Sequence, residues 1–277
     1  MVVEAGGYHA AADRLFITQS AVTQRVQALE GRLGQRLFVR AGRGVALTPA
    51  GETLARFCRA QREAEAGLMA QLGGEDGRLA GRLAVAAGTS EGRLWLLPAV
   101  AALARAHPAL DVTVTLDDSL DAAALLEASR VDAVLGETPL RRRGLRSTAI
   151  GQVSYRMAGT YDDWPDAPTP EALLERRAID FEPHDRITLD HLALCLPGTD
   201  LGALRRHFVN DTHGILALTL AGGGFAVLPE VVLRPHLGVL RLFYPQVESQ
   251  RTLYWSVPEG QMAPAVRALR QLIKLAN

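Results

Sequence analysis

Apolar residues between positions 17 and 40 recur with the spacing of one face of an α-helix. They are separated by four, three and four positions, which places them on a single stripe. The stripe consists of Val22, Val26, Leu29 and Leu33. Thr18 is a favourable N-cap, so the helix is predicted to begin after it. Residues 8–15 form a short alanine-rich helical pattern ahead of it, and two helices joined by a tight turn form a helix-turn-helix.

The opposite face of the predicted helix carries hydroxyl and amide side chains. Side chains of these types reach base edges and phosphates of DNA. They are Gln19, Ser20, Thr23, Gln24 and Gln27. Periodicity alone leaves two interpretations open, a DNA-contacting helix and an ordinary amphipathic helix with a polar outer face.

Two strand patterns and a further helix pattern follow. Residues 37–40 and 45–48 flank a glycine-containing turn, which predicts a hairpin or wing with Arg40 and Arg43 beside its tip. A solvated basic turn is the alternative. Thr48-Pro49 is an N-cap followed by proline at the first helical position, and the helix is predicted to reach about residue 72. Its stripe, apolar except at Gln61, is Leu54, Phe57, Gln61, Ala64, Leu68 and Leu72.

That stripe needs a partner, which is either a second copy of the helix or the helix's own domain. Glycines at positions 73, 74, 77 and 81 mark a hinge after it. Beyond the hinge, strand patterns at 83–87, 111–116 and 131–135 alternate with helix patterns at 91–106 and 122–129. This alternation predicts an α/β fold with parallel strands covered by helices.

Composition is that of an ordinary globular protein, but the charge is unevenly placed. The 277 residues are 48% hydrophobic and 22% charged, and carry no net charge overall. Residues 1–62 contain nine arginines against four acidic residues, so their net charge is +5 and that of the remainder is −5. A basic front and an acidic body are typical of a protein that contacts nucleic acid at one end.

The two cysteines, Cys58 and Cys195, lie far apart and do not have metal-ligand spacing. No membrane-length apolar stretch or signal-peptide pattern is present, so a cytoplasmic protein without a membrane segment is expected. The seven histidines lack the spacing of a metal site, and no metal or cofactor is expected.

Several spaced motifs resemble those of the LysR-type transcriptional regulators. They are Ala11-Ala12, Leu15, Thr18-Gln19-Ser20-Ala21-Val22-Thr23, Leu29-Glu30, Leu33-Gly34, Leu37-Phe38-Val39-Arg40 and Leu47-Thr48-Pro49-Ala50-Gly51. The resemblance implies a winged helix-turn-helix DNA-binding domain (1–47), a dimerisation linker helix (48–73), a hinge (74–82) and an effector-binding domain (83–277). The last would consist of two α/β lobes resembling a periplasmic binding protein, lobe I (83–157 and 246–277) and lobe II (158–245).

The same resemblance implies the contacts with DNA. The helix after Thr18 would read the major groove of promoter DNA and the wing arginines would contact phosphates. The predicted DNA-binding residues are Thr18, Gln19, Ser20, Thr23, Gln24, Arg25, Gln27, Arg40 and Arg43. A homotetramer built from dimers would bind an imperfect palindrome and alter the recruitment of RNA polymerase.

Thr23-Gln24-Arg25, Trp95-Leu96-Leu97-Pro98 and Arg251-Thr252-Leu253-Tyr254-Trp255 are most similar to the ArgP/LysG branch. Members of that branch sense lysine or arginine and activate genes for basic amino-acid exporters. A LysR-type regulator with another effector, such as an aromatic or organic acid, is the alternative. The first helix is shorter than is usual in the family, with only residues 2–5 remaining, which favours a start codon assigned too late over a truncated paralogue.

Ligands of α/β lobes gather at the carboxyl ends of strands and the amino ends of the following helices. That rule selects Thr89, Ser90, Glu91, Asp118, Ser119, Glu137, Asn210 and Asp211 as ligand-binding residues. For a basic amino acid, the α-carboxylate is expected at the helix start formed by Thr89 and Ser90. Its cationic end would need a buried acid, supplied by Asp118, Glu137 or Asp211.

Two interpretations from other classes remain for comparison. Gly88-Thr-Ser90-Glu-Gly92 matches the nucleophile elbow of α/β hydrolases, with His184, His191, His207 or His213 downstream as a base. A plain solute-binding protein is the other, and the helix-turn-helix pattern opposes it.

Overall fold

The amino-terminal part of the chain folds into short helices packed around a small core. The computed structural model describes residues 2–5, 7–41, 44–55, 57–58, 61, 65, 79–164, 166, 168–260 and 262–275. The first three helices are α1 (Val2–Ala5), α2 (Tyr8–Leu15) and α3 (Gln19–Leu33). Ala11, Ala12 and Val22 are buried between them, with Tyr8 and Ile17 packed alongside. The predicted pair of helices is confirmed.

Helix α3 begins and ends as its sequence predicts. Thr18 Oγ1 accepts a hydrogen bond from the Ala21 amide at 3.2 Å, which satisfies one of the amides left free at a helix start. At the other end, Gly34 adopts a left-handed conformation (φ 64°) and its N–H donates to the Glu30 carbonyl.

The expected apolar stripe of α3 is wrong over its second half. Val22 is buried, but Leu29 and Leu33 are 38% and 47% exposed. Glu30 is buried in their place, because its carboxylate accepts hydrogen bonds from the backbone amides of Leu37 (2.7 Å) and Phe38 (3.3 Å). The last turns of α3 therefore hold the start of the following hairpin through hydrogen bonds to the Glu30 carboxylate.

That hairpin consists of β1 (Phe38–Ala41) and β2 (Gly44–Leu47), paired antiparallel with Phe38 opposite Leu47. Helix α4 follows, and its residues 49–55 are described as helical. Thr48 Oγ1 accepts from the Gly51 amide at 3.0 Å, as expected for an N-cap. On the predicted stripe of α4, Phe57 is 60% exposed; Ala64, Leu68 and Leu72 lie outside the described residues, as does most of the predicted hinge.

The next section confirms the predicted alternation of strands and helices. Strand β3 (Ala80–Ala87) pairs in parallel with both β4 (Ala109–Leu116) and β5 (Ala133–Gly136). The connecting helices are α5 (Thr89–Glu91), a π-helical turn (Gly92–Leu96), α6 (Leu97–Ala106) and α7 (Ala122–Glu127). Gly92 lies against Leu116 of β4, where a Cβ would collide with the leucine side chain. The absence of a side chain at Gly92 thus lets the helix start lie close to the sheet.

Two long antiparallel strands carry the chain between the lobes. Strand β6 (Leu145–Thr160) pairs along most of its length with β11 (Ser249–Pro258), which also pairs with β5. The far end of β6 pairs with β9 (Ala226–Pro229) and β10 (Leu240–Phe243). Among the described strands, the sheet order is therefore β10-β6-β11-β5-β3-β4, with β9 also on β6.

The second lobe packs around the far end of β6. Strands β7 (Arg177–Asp180) and β8 (Arg205–Phe208) are paired in parallel. Its helices are α8 (Pro170–Glu175), α9 (Ile187–Cys195), α10 (Thr212–Leu220) and α11 (Glu230–Leu233), with a 3₁₀ turn at Arg234–His236. Helix α12 (Pro264–Leu272) packs against α6 of the first lobe. The glycines at 222–224 lie between α10 and β9.

One apolar core joins the two lobes. Leu83 and Trp255 from the first lobe's sheet belong to the same buried cluster as Leu192 and Phe225 from the second. No helix among the described residues is long and apolar enough to cross a membrane.

Candidate functional site

A cleft of about 240 Å³ opens between the two lobes. The first lobe contributes residues that follow β3, β4 and β5, together with Tyr155 of β6. The second contributes the segment after β7, the starts of α9 and α10, and strand β9. The lining residues are Ser90, Glu91, Asp118, Glu137, Tyr155, Ile179, Asp180, Phe181, Glu182, Asp185, Ile187, Thr188, Thr212, Ile215, Val227, Leu228 and Pro229. This volume is suited to a small metabolite.

Carboxyl groups dominate the polar lining of the cleft. Three come from the first lobe and three from the second. They are Glu91, Asp118, Glu137, Asp180, Glu182 and Asp185. Among the described residues that line the cleft, none is lysine, arginine or histidine. A cationic ligand would therefore find counter-charges on both sides.

The start of α5 is occupied by two of these acids. Asp118 Oδ1 accepts a hydrogen bond from the Thr89 amide at 2.7 Å. The Glu91 carboxylate folds back over Gly88, into space that a Cβ at Gly88 would fill. Burial raises the pKa of Glu91 to about 7; a hydrogen bond to its own backbone opposes the rise, and the charges of Glu137 and Asp118 add to it. The amide that was expected to receive a ligand carboxylate is thus bonded to a protein carboxylate.

A second acid cluster lies around Tyr155. The Tyr155 hydroxyl donates to Glu137 Oε1 at 2.8 Å. Burial raises the pKa of Glu137, while this hydrogen bond and the charge of Arg251 lower it and Asp185 raises it. Burial also raises the pKa of Tyr155 well above its usual value, and the nearby acids add to that effect. The tyrosine therefore stays neutral and serves as a donor to the carboxylate.

On the second lobe, Asp180 is held by Arg206, which does not line the cleft, and by Thr188, which does. Arg206 Nη1 lies 3.0 Å from Asp180 Oδ2. Burial raises the pKa of Asp180, and hydrogen bonds from Thr188 and Arg206 oppose the rise. Asp185 Oδ1 accepts from the Ile187 amide at 2.9 Å, which places a second acid of this lobe at the start of α9.

Two contacts connect the lobes at the rim of the cleft. The hydroxyls of Ser90 and Thr212 hydrogen-bond each other. One turn further along, Arg93 Nη1 lies 2.6 Å from Asp211 Oδ1. Asp211 Oδ2 accepts from the Gly214 amide at 2.8 Å and caps α10. This hydroxyl pair and this ion pair are therefore among the contacts that join the two lobes beside the site.

The structure brings four of the eight predicted ligand-binding residues together. Ser90, Glu91, Asp118 and Glu137 line the cleft. The other four are not among the lining residues. The Thr89 amide donates to Asp118, Ser119 donates to Asp117, Asp211 caps α10, and Asn210 precedes Asp211.

The predicted ligand-binding residues included none of the polar lining residues from the second lobe and from β6. They are Tyr155, Asp180, Glu182, Asp185, Thr188 and Thr212. The run Asp180 to Asp185 after an apolar pair was the available signal, but residues 177–180 show no strand pattern that would have marked their carboxyl end.

The geometry does not support the hydrolase interpretation. Ser90 Oγ is paired with Thr212, and among the described cleft residues no histidine is present to act as its base. His191, one of the candidates, is buried and pairs through Nδ1 with Ser249 Oγ at 3.0 Å.

The polar face of α3 is open to solvent. Gln19, Gln24, Arg25 and Gln27 are exposed, as is Arg40 on β1. The hydroxyls are used locally: Thr18 Oγ1 lies 2.9 Å from Ser20 Oγ, and Thr23 Oγ1 donates to the Gln19 carbonyl at 3.0 Å. The predicted contact residue Arg43 lies outside the described residues. The glutamines and the arginine of α3, with Arg40 of β1, are therefore the side chains that are free to reach DNA.

Both the amino-terminal part and the remainder of the chain match models of known protein families. Residues 1–52 match the bacterial regulatory helix-turn-helix protein model of the lysR family, and residues 76–276 match the LysR substrate binding domain. The chain belongs to the LysR family of DNA-binding transcription regulators. The winged helix-turn-helix and the two-lobed α/β domain are the architecture of this family, so the cleft lies in its substrate-binding domain.

Curated relatives and solved structures agree with this assignment. The chain is 31% identical to the transcriptional regulator ArgP of Pseudomonas fluorescens strain Pf0-1 over 262 residues, which is 92% of this chain and 86% of that protein. Its fold is similar to full-length LysG from Corynebacterium glutamicum with bound effector Arg (TM-score 0.72, 22% identity, 98% of this chain and 93% of that one). It is also similar to ArgP from Mycobacterium tuberculosis (TM-score 0.71, 23% identity, 99% and 94%).

Proposed function

We propose that this LysR-type regulator senses a basic amino acid, arginine or lysine, in the cleft between its lobes and controls a transporter or exporter gene. The observation that carries the proposal is the lining of the cleft: six carboxyl groups and, among its described residues, no cationic side chain. Arg206 neutralises Asp180. Buried carboxylates without counter-ions are unfavourable, and a cationic ligand would supply the charge that the other acids lack.

Two further observations support this effector class. The ArgP relatives are similar over nearly the whole chain, and the structural neighbour LysG was solved with Arg bound. An aromatic or organic acid, the alternative effector, would bring another negative charge into a site that already holds six acids. The lining thus favours the cationic class.

Titration with arginine and lysine tests the proposal directly. We expect calorimetry on the full-length protein to show saturable binding, and Asp118→Asn to weaken it by about tenfold or more because a counter-charge is lost while the acceptor for the Thr89 amide is kept. Asp117→Asn is the matched control. The carboxylate of Asp117 accepts from Ser119, and Asp117 does not line the cleft. Absence of binding at millimolar concentrations of both amino acids would contradict the proposal.

For promoter DNA, we propose that α3 reads bases and the hairpin contacts phosphates. Gln24 is exposed on α3, and Arg40 is exposed on β1. Gln24→Ala is expected to relax base preference in a footprint, at about 1–3 kcal/mol of discrimination. Arg40→Ala is expected to weaken binding to all sequences and to lessen its salt dependence. Wild-type footprints and affinities in both variants would refute this docking.

We further propose assembly as a homotetramer of dimers, with α4 pairing to its twin. Phe57 on the apolar side of α4 is 60% exposed, as expected of a face that a second copy would cover. Sedimentation equilibrium of the full-length protein is expected to give the mass of a tetramer. A monomeric mass at micromolar concentration would rule out this role for α4.

A further inference from the structure

The facing walls of the cleft carry charge of the same sign. Each lobe contributes three carboxyl groups to the lining, and Arg206 neutralises Asp180 of the second lobe. Burial raises the pKa of Glu137 on the first wall, and the charge of Asp185 on the opposite wall adds to the rise. The two walls are therefore close enough to repel each other, and a contact of opposite sign is needed to offset that repulsion.

A π-helical turn of the first lobe reaches the second lobe at the rim of the cleft. This turn, Gly92–Leu96, connects α5 to α6. Arg93 Nη1 lies 2.6 Å from Asp211 Oδ1, and Leu94 packs against the apolar cluster that contains Ile215 of α10. Short π-helical segments are frequent at functional sites. Two successive side chains of the turn thus contact the beginning of α10, one through charge and one through apolar packing.

The acid of this ion pair is held in place by its own helix. Asp211 Oδ2 accepts from the Gly214 amide at 2.8 Å and caps α10, while Oδ1 meets Arg93. The side chains of Arg93 and Asp211 are 45% and 33% exposed, so the pair is partly shielded from water. Shielding strengthens the attraction, and a fixed partner reduces the entropy lost when the pair forms. Asp211 directly precedes Thr212, which lines the cleft.

We propose that Arg93 and Asp211 are positioning residues for the effector, and that their ion pair holds the two acidic walls at the separation at which one ligand contacts both. This proposal rests on the proposed function, because it concerns the affinity of the same cleft. Neither residue is among the described lining residues, so the pair acts on affinity without touching the ligand. Less of the ligand's binding energy is then consumed in bringing the lobes together.

Calorimetry with arginine on variants of the full-length protein tests this role. Arg93→Gln and Asp211→Asn are each expected to weaken binding by about three- to fivefold. The double variant should be no weaker than either single one, since each substitution already removes the pair. Asparagine at position 211 keeps an oxygen that can cap α10. Arg93→Lys should retain most of the affinity, because lysine keeps the positive charge.

The sign of the Arg93→Gln effect distinguishes an ion pair from a lone charge. As a lone cation beside the cleft, Arg93 would repel a cationic effector, and its removal would tighten binding. Arg186→Gln is the matched control. Arg186 pairs with Asp190 at 3.3 Å within the second lobe and is not among the described lining residues. This control should leave the affinity for arginine unchanged.

Disulfide formation between the lobes measures the same contact without any effector. The hydroxyls of Ser90 and Thr212 hydrogen-bond each other across the rim, so Ser90→Cys and Thr212→Cys place two thiols in contact. Cys58→Ser in the same protein removes an exposed thiol. Adding Arg93→Gln is expected to slow formation of this disulfide by about threefold or more, because the lobes are then held together less often. Arg186→Gln should not change the rate.

The outcomes separate the two claims. Weaker binding in both single variants without additivity, together with slower disulfide formation, supports the proposal. Unchanged or tighter binding by Arg93→Gln, or losses that add in the double variant, overturns it and leaves the proposed function standing. If the wild-type protein binds neither arginine nor lysine, the proposed function fails. The disulfide rate then supports the role of the ion pair in holding the lobes if Arg93→Gln slows it, and overturns that role if it does not.

Discussion

Glu30→Ala is expected to abolish DNA binding while leaving effector binding intact. The Glu30 carboxylate is buried in the DNA-binding half and accepts from the amides of Leu37 and Phe38, where α3 meets the hairpin. Alanine would leave two amides without partners, at a cost of about 2–4 kcal/mol. That is a large share of the stability of a small domain. The hairpin would lose its fixed position relative to α3, and the two DNA-contacting elements would no longer be held together.

Glu30→Gln is the matched control. Its amide oxygen can still accept from Leu37, while the 3.5 Å ion pair with the mostly exposed Arg36 is lost. Because exposed ion pairs contribute little, Glu30→Gln should retain most DNA binding. Retardation of a promoter fragment measures the first property and calorimetry with arginine the second. A wild-type retardation pattern for Glu30→Ala would show that the hairpin is held by other contacts.

Effector affinity is expected to rise by about tenfold between pH 6 and pH 8. Burial holds the pKa of Glu91 at about 7, so this acid is mostly protonated at pH 6 and must lose its proton to serve a cationic ligand. Glu137, whose pKa is also raised by burial, acts in the same direction. Tyr155 stays neutral across this range because its pKa lies well above 10. His191 stays neutral as well, since burial lowers its pKa to about 4.

Calorimetry in buffers of different ionisation enthalpy should show proton release on binding near pH 7. Glu91→Gln is expected to flatten most of the pH dependence and to weaken binding at pH 8. The stability of the free protein changes with pH in the opposite direction to effector affinity. Because the pKa of Glu91 is raised on folding, this residue destabilises the fold progressively as pH rises from 4.5 to 7. Affinity that is constant from pH 6 to pH 8, or proton uptake on binding, would contradict the assignment of Glu91 to the effector site.

Local features of the sequence predicted the beginnings of elements well. Thr18 and Thr48 cap their helices as expected, because an N-cap bond is made within three residues of the cap. The exposure of Leu29 and Leu33 was not predictable, since periodicity gives the faces of a helix and not the neighbour that each face meets. The burial of Glu30 depends on amides seven and eight residues away in a different element.

In the cleft, too, some residues could be predicted from the sequence and others could not. Glu91, Asp118 and Glu137 were found because ligands gather at the carboxyl ends of parallel strands, and β3, β4 and β5 are readable from the sequence. Asp180 is the last residue of β7 and Asp185 follows it. This strand has four residues, with a charged residue at each end and no apolar alternation. The acids of the second lobe could therefore be identified as cleft residues only from the structure.

The shared strand β6 has a consequence for stability. Residues at its start pair with β11, residues at its far end pair with β9 and β10, and the buried core continues from Leu83 to Phe225. Neither lobe can lose its hydrogen-bonded ladder without exposing the apolar side of the other. The effector-binding half should therefore melt as a single cooperative unit, and cutting the chain between the lobes would yield two fragments that are each unable to fold alone.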